Sequence, residues 1–125
     1  MQSTEPKVIN VEELPWHDAK GLPGMAGHAF GHRELLHDSN YTTAYSVSMA
    51  RFAPGATAKR HIEKWNHTLF IMHGTGIIEI DGHTWPVTPG TLIKVKAGEW
   101  HSLSNTGSDD MTMLVIYDPP RPMAK

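Results

Sequence analysis

Residues 69–95 read LFIMHGTGIIEIDGHTWPVTPGTLIKV. Short apolar runs alternate with turns in this stretch, and the adjacent Asp81 and Gly82 are a strong signal for a two-residue β-hairpin. A second turn is expected at Pro89 and Gly90, because proline fixes φ and glycine tolerates positive φ. The stretch therefore predicts an antiparallel pair of strands followed by a further strand.

The same strand spacing continues on both sides of this stretch. Tyr45, Val47 and Met49 alternate with serines, which is the period of a half-buried strand. Residues 111–117 predict a last strand, which two successive prolines close off soon afterwards. Strands that recur about every 8 to 12 residues indicate a sandwich or a small closed barrel, whose interior can hold one ligand. We therefore expect an all-β fold.

A chain of 125 residues has room for one domain. We expect three regions within it, namely an N-terminal arm with strands that pack on a barrel at 1–40, the barrel core at 41–118 and a frayed C-terminal tail at 119–125. Residues 7–14 are interpreted as an edge strand, and residues 21–31, which carry four glycines, as a surface loop. For residues 32–37, one helical turn and a strand both stay open.

The charge and composition exclude several classes of protein. Lysine and arginine total 11 against 13 acidic residues, so no basic field is available to bind nucleic acid or an anionic membrane. Without cysteine, a metal site must use nitrogen and oxygen ligands. The N-terminal residues lack an apolar leader segment, and no apolar stretch is long enough to span a membrane. We expect a cytoplasmic protein with no nucleic-acid or membrane partner.

The segment HIEKWNH at residues 61–67 is the strongest chemical signal. In an extended chain His61 and Glu63 point to the same face with about 6.5 Å between their Cα atoms, close enough to grip one ion. His67 has the same parity and can join them. A helix would instead pair Glu63 with His67, but the His-Glu-x-x-His motif of zinc proteases is absent from this segment.

Two spaced motifs resemble those of the cupin superfamily. The family motifs are G-x5-H-x-H-x3,4-E-x6-G and G-x5-P-x-G-x2-H-x3-N. In this chain the matching positions are Gly55, His61, Glu63, His67 and Gly74, then Gly90, Lys96, Gly98, His101 and Asn105. The resemblance covers residues 44–118, and it implies a single-domain cupin β-barrel, the double-stranded β-helix of jelly-roll type.

Three positions depart from the family pattern. Glu63 stands where the family usually has its second histidine, His67 where it has glutamate, and Lys96 where it has proline. The exchange of the first two keeps three imidazoles and one carboxylate. The resemblance thus implies one divalent metal ion on His61, Glu63, His67 and His101, as in a similar subgroup of small manganese cupins. Manganese or iron is favoured, and nickel, copper and zinc also suit these ligands.

Other residues receive weaker assignments. Glu63 is interpreted either as a ligand or as an unbound general base, and it is the expected catalytic residue. Met113 and Val115 share a face of the last strand and are expected to form a substrate wall, with core packing as the alternative. Trp65 and Trp100 flank ligands and are expected in the pocket wall, or else in the core or a dimer interface. The remaining histidines are expected in solvent, at an interface or in turns, although His28 or His32 could reach the barrel mouth under a lid.

The expected function is a metal-dependent enzyme that activates dioxygen and a small organic substrate, as a dioxygenase or an oxidative-cleavage enzyme. One alternative is a lyase or isomerase that uses the metal as a Lewis acid. Another is a non-catalytic module that binds a small ligand. The resemblance also implies a homodimer, which would cover open sheet edges.

Overall fold

The computed structural model describes residues 6–22 and 25–122, with side chains described outside residues 20–28. Ten strands and one short 3-10 helix, Val11–Glu13, make up the described elements. The strands are β1 His17–Leu22, β2 Met25–Leu36, β3 Ser46–Phe52, β4 Thr57–His61, β5 Asn66–His73, β6 Gly76–Ile80, β7 His83–Val87, β8 Leu92–Val95, β9 His101–Asn105 and β10 Met111–Asp118. Among these elements, none is a helix long and apolar enough to cross a membrane.

The strands form two antiparallel sheets. One has six strands in the order β1-β2-β3-β10-β5-β8, and the other has four in the order β4-β9-β6-β7. The last strand, β10, lies between β3 and β5, so neighbours in the sheet are distant in sequence, as in a jelly roll. The predicted all-β, jelly-roll architecture is confirmed.

The hairpin predicted at Asp81 and Gly82 is confirmed. Strands β6 and β7 pair in register from Ile80 opposite His83 onward. Asp81 and Gly82 both have positive φ, 49° and 88°, which the tight hairpin turn requires. Gly76 of β6 is required by the close approach of β9. A Cβ atom at this position would overlap the Ser104 carbonyl oxygen.

The core lies between the two sheets. On β10, Met111 and Met113 are fully buried, and Val115 is 4% exposed. Ile71 of β5 is also fully buried, and Val87 of β7 is 1% exposed. Burial of these side chains supplies the apolar area that holds the sheets together.

Two predictions for the N-terminal region are wrong. Residues 7–14 are not a strand, since Asn10 caps the 3-10 helix by accepting the Glu12 N–H at 2.9 Å. The described residues of 21–31 are strand and not a surface loop, because β1 ends at Leu22 and the stretch from Met25 belongs to β2. The backbone groups of β2 find partners on β3, and Gly31 leaves room for the Arg51 side chain, so its glycines fit a strand. Residues 32–36 are strand as well.

Candidate metal centre

Three strand ends and one turn bring the expected ligands together. His61 is the last residue of β4 and pairs with His101, the first residue of β9. His67 lies near the start of β5, and Glu63 lies in the turn between β4 and β5. The gap of 40 positions in the printed sequence between His61 and His101 is thus closed by strand pairing across the four-stranded sheet.

The Glu63 carboxylate is the centre of the cluster. Its Oε2 lies 3.3 Å from His61 Nε2, 3.4 Å from His67 Nε2 and 3.6 Å from His101 Nε2. The ring centroids of His61 and His101 are 4.4 Å apart, and those of His67 and His101 are 4.8 Å apart. Both His67 and His101 are buried. Three imidazole nitrogens therefore converge on one carboxylate oxygen.

Backbone carbonyls fix the orientation of two of the rings. His61 Nδ1 is 2.6 Å from the Lys59 carbonyl oxygen, and His101 Nδ1 is 3.0 Å from the Glu99 carbonyl oxygen. A carbonyl only accepts, so each Nδ1 carries a hydrogen. A protonated ring donates from Nε2 to the Glu63 carboxylate, whereas in the neutral ring Nε2 keeps a lone pair. This neutral form is the tautomer that binds a metal ion through Nε2. His67 Nδ1 is buried without a hydrogen-bond partner among the described residues.

The turn before His101 explains the departure at the motif's proline position. Lys96 donates its backbone N–H to Glu99 Oε1 at 2.6 Å, a bond that proline could not make. The Glu99 carbonyl then accepts from His101, and Gly98 donates its N–H to the Glu63 carbonyl at 3.0 Å. The lysine therefore adds a hydrogen bond to a turn that holds two of the expected ligands.

The cluster also shifts the proton affinity of its members. Burial by itself would raise the pKa of Glu63, but hydrogen bonds from His101 and His61 and the nearby charge of His67 outweigh it and hold that pKa well below its usual range. The hydrogen bond to Glu63 raises the pKa of His61. Burial lowers the pKa of His67, which favours the neutral imidazole. An ionised carboxylate beside a neutral imidazole is the protonation state in which both bind a cation.

These donors fit a divalent ion. The ligand atoms of His61, Glu63 and His101 all lie within 4.8 Å of one another, and His67 Nε2 approaches the same carboxylate oxygen. Neutral imidazoles and a carboxylate suit first-row divalent metals, and they do not select one of them. The chemistry of the donor set, with two rings held in the metal-binding tautomer, supports a bound ion.

A cavity of about 830 Å³, including its open mouth, adjoins the cluster. All four expected ligands line it, and so do Met113 and Val115, the expected substrate wall. The indoles of Trp65 and Trp100, also expected in the wall, lie outside it. Trp65 packs edge-on behind Tyr117 at 6.3 Å between ring centroids, and Trp100 is 44% exposed under the Arg60 guanidinium.

Three residues of the cavity, Tyr117, Glu34 and Arg121, were not predicted as part of the site, and His32 was expected at the barrel mouth only under a lid. Tyr117 stacks on His67 with ring centroids 5.5 Å apart, and burial raises the pKa of its hydroxyl, so it stays protonated. His32 and Glu34 line the cavity from β2. Arg121 lines it from the C-terminal tail, with its Nε 3.9 Å from Glu63 Oε1.

The C-terminal tail was expected to fray, but its first residues are held in place. Arg121 donates its backbone N–H to Ser46 Oγ at 3.1 Å, and its guanidinium lies over the rings of Trp65 and Tyr117. No local pattern marks this contact, because Ser46 and Arg121 are 75 positions apart. The other expected lid residue, His28, has its side chain outside the described residues, as does the end of the tail at 123–125.

Comparison with known proteins agrees with the fold. The family model described as "Cupin domain" matches residues 48–117, and the chain belongs to the cupin family. It is 30% identical over 89 residues to an L-ectoine synthase of Vibrio campbellii, covering 70% of this chain and 68% of that protein.

Solved structures share the fold at lower identity. The polyketide cyclase RemF from Streptomyces resistomycificus superposes with a TM-score of 0.79 at 20% identity, over 95% of this chain and 83% of that one. A predicted oxalate decarboxylase from Thermotoga maritima gives a TM-score of 0.75 at 22% identity, over 90% and 98%. These similarities establish the cupin β-barrel.

Proposed function

We propose that this protein is a metal-dependent cupin enzyme that acts on a small organic molecule. His61, Glu63, His67 and His101 hold one divalent ion, with manganese or iron favoured, and the substrate occupies the adjoining cavity. The proposal rests on the convergence of three Nε2 atoms within 3.6 Å of Glu63 Oε2. Protein-only coordination by four donors leaves one or two positions of a five- or six-coordinate ion open to a substrate.

The cavity supports an enzyme rather than a structural metal site. A structural ion is closed off by its ligands, whereas here all four donors line a cavity that opens to solvent. Met113 and Val115 give this space apolar walls that exclude water. The Tyr117 hydroxyl and the Arg121 guanidinium are hydrogen-bond donors that can orient an oxygen-bearing substrate.

Two reaction classes fit such a centre, and we favour the one without a redox change. A bound ion supplies Lewis acidity in a lyase or isomerase, and it supplies oxygen activation in a dioxygenase or an oxidative-cleavage enzyme. The cavity contains groups that hold or move protons, namely Tyr117, His32 and Glu34. Proton transfer is central to lyase and isomerase chemistry, and the 30% identical relative carries the name of a synthase.

The metal and the reaction class are tested on untagged protein. We expect one divalent ion per chain by elemental analysis, and turnover of candidate enolic and carbonyl substrates by protein loaded with Zn(II) in the absence of air. Turnover that requires oxygen would instead support the oxidative reaction. Substoichiometric metal under all conditions, with melting unchanged by a chelator, would favour a non-catalytic ligand-binding module.

The expected homodimer has a candidate surface on the outer face of the six-stranded sheet. Phe70, Met72, Leu92 and Ile116 are each between 36% and 58% exposed there, and Phe70 pairs across strands with Leu92. Covering such a face would remove apolar surface from water. Light scattering after size exclusion should give twice the chain mass for the wild type and the chain mass for Phe70→Lys. The cytoplasmic location also remains a prediction.

A further inference from the structure

The cavity extends across the six-stranded sheet to a second group of titratable side chains. His67 of β5, Tyr117 of β10, Ser48 of β3 and Glu34 of β2 all line it. These four strands are consecutive neighbours in the sheet, so the cavity spans three interstrand spacings, about 14 Å. A small molecule bound at the metal centre can therefore reach β2.

Small residues on β3 make this reach possible. The strand register places Ser48 between Val115 and Glu34, and Ala50 between Met113 and His32. Ser48 and Ala50 are too short to cover their neighbours on β2, and both line the cavity. His32 and Glu34 consequently face the same space as the metal ligands.

His32 and Glu34 are close enough to act together. His32 Nδ1 lies 3.4 Å from Glu34 Oε1, and the two side chains are 16% and 25% exposed. A carboxylate at Nδ1 favours the tautomer with hydrogen on Nδ1 and leaves Nε2 as the nitrogen that can accept a proton. Because the two residues lie two apart on one strand, their pairing joins no separate elements and explains little of the fold's stability.

The other groups around His32 leave a route for protons. From β1, His17 approaches with its ring centroid 5.8 Å from that of His32, and His17 is exposed to solvent. The register places Ala50 of β3 opposite His32 and Arg51 opposite the adjacent Gly31, and Tyr117 of β10 senses the charge of Glu34. A carboxylate, a solvent-exposed imidazole and a phenol are therefore among the described groups near His32.

We propose that His32, oriented by Glu34, is a proton-transfer residue of this cavity, and that the natural substrate is a carbon or oxygen acid. This inference rests on the proposed function and assigns a second catalytic wall to it. His32 Nε2 accepts a proton from a C–H or O–H bond of the bound molecule, and the electron pair of that bond stays on the substrate. The proton returns to the product or passes to water by way of His17.

A probe with a known proton-transfer reaction tests the proposal without knowledge of the substrate. The probe is 5-nitrobenzisoxazole, an uncharged aromatic carbon acid. Removal of its ring C–H proton breaks the N–O bond and forms a nitrile and a coloured phenolate, with no oxidant or metal required. Because general-base catalysis contributes about 100-fold or more, we expect His32→Asn to lower kcat/KM at least 30-fold in the metal-loaded protein. The matched control, His83→Asn, changes an exposed histidine on β7 and should leave the rate unchanged.

The orienting role of Glu34 has its own readout. In Glu34→Gln we expect kcat to fall three- to tenfold with little change in KM. Nitrogen NMR should show hydrogen on His32 Nδ1 in the wild type and a loss of that preference in the variant. A purely structural pair would leave both kcat and the tautomer of His32 unchanged.

Several outcomes would overturn the proposal. These are a wild-type rate no higher than that of free imidazole at equal concentration, a His32→Asn rate within twofold of the wild type, or an unchanged tautomer in Glu34→Gln. Should His32→Asn fail to fold, His32→Gln takes its place, with the melting temperature as the check. The two proposals fail in different ways. If the protein binds no metal but still turns over the probe in a way that depends on His32, only the proposed metal enzyme is overturned. If the protein binds one metal ion per chain but His32→Asn does not slow the probe reaction, only this inference is overturned.

Discussion

The two walls of the cavity differ in how they are encoded. The metal wall comes from side chains at fixed spacings, where His61, Glu63 and His67 lie within seven residues and one strand pairing adds His101. The β2 wall comes from a glycine-rich strand, and only the packing of β2 on β3 turns His32 and Glu34 into the cavity. One wall of a site can therefore be predicted from a sequence motif, while the other wall depends on how the strands pair.

The largest expected effect is on metal affinity, which should depend on the metal wall and not on the β2 wall. His101→Ala removes an expected ligand of the metal ion. Loss of a residue that only supports a ligand usually weakens metal binding about 10- to 100-fold, so we expect loss of the ligand itself to weaken manganese binding by about 100-fold or more. His32→Asn should leave the affinity within about threefold, because His32 lies on β2, three strands away from His67 on β5. Titration calorimetry on both variants measures this. Equal losses would contradict the division of the cavity into a metal wall and a proton-transfer wall.

Removal of the metal should lower the free energy of unfolding, and this effect should depend on the ligands of the metal wall. An ion present at about 100 times its dissociation constant stabilises the native state by about 2.7 kcal/mol, which corresponds to roughly 10 °C in Tm for a domain of this size. We expect a chelator to lower the wild-type Tm by about that amount and to leave the Tm of His101→Ala unchanged. A chelator shift that persists in His101→Ala would place the ion elsewhere.

Much of the metal wall and of the barrel could be predicted from the sequence, because both depend on local spacing. The hairpin at Asp81 and Gly82 needs two adjacent residues with positive φ. Residues 61–67 are close in sequence, but they meet because the chain turns between β4 and β5, and not because they share one face of an extended strand. The β2 wall could not be predicted, because glycines within a strand look like a loop until a neighbouring strand supplies their hydrogen-bond partners. Arg121 was missed for the same reason, since its partner Ser46 is remote in sequence.

The two fully buried methionines of β10 test where the cavity ends. Met111 and Met113 are equally inaccessible to solvent, but only Met113 lines the cavity. Truncation of a buried methionine costs about 2 to 5 kcal/mol, and the cost is smaller where a void already adjoins the side chain. In chemical denaturation, Met111→Ala should therefore lose about 1 to 2 kcal/mol more than Met113→Ala. A reversed order would mean that the space beside Met113 is filled in solution.

The smallest effect is expected at the tryptophan that flanks the metal wall without joining it. The Trp100 side chain is 44% exposed, and its ring centroid lies 4.8 Å from the guanidinium carbon of Arg60. Trp100→Ala should therefore change the free energy of unfolding by no more than about 1 kcal/mol. Turnover of 5-nitrobenzisoxazole should match the wild type. Trp65→Ala should lower that turnover, since its indole supports Tyr117 and Arg121, which both line the cavity. Loss of turnover in Trp100→Ala would instead support the interpretation of Trp100 as part of the substrate wall. The metal wall would then include a side chain that is largely exposed to solvent in this structure.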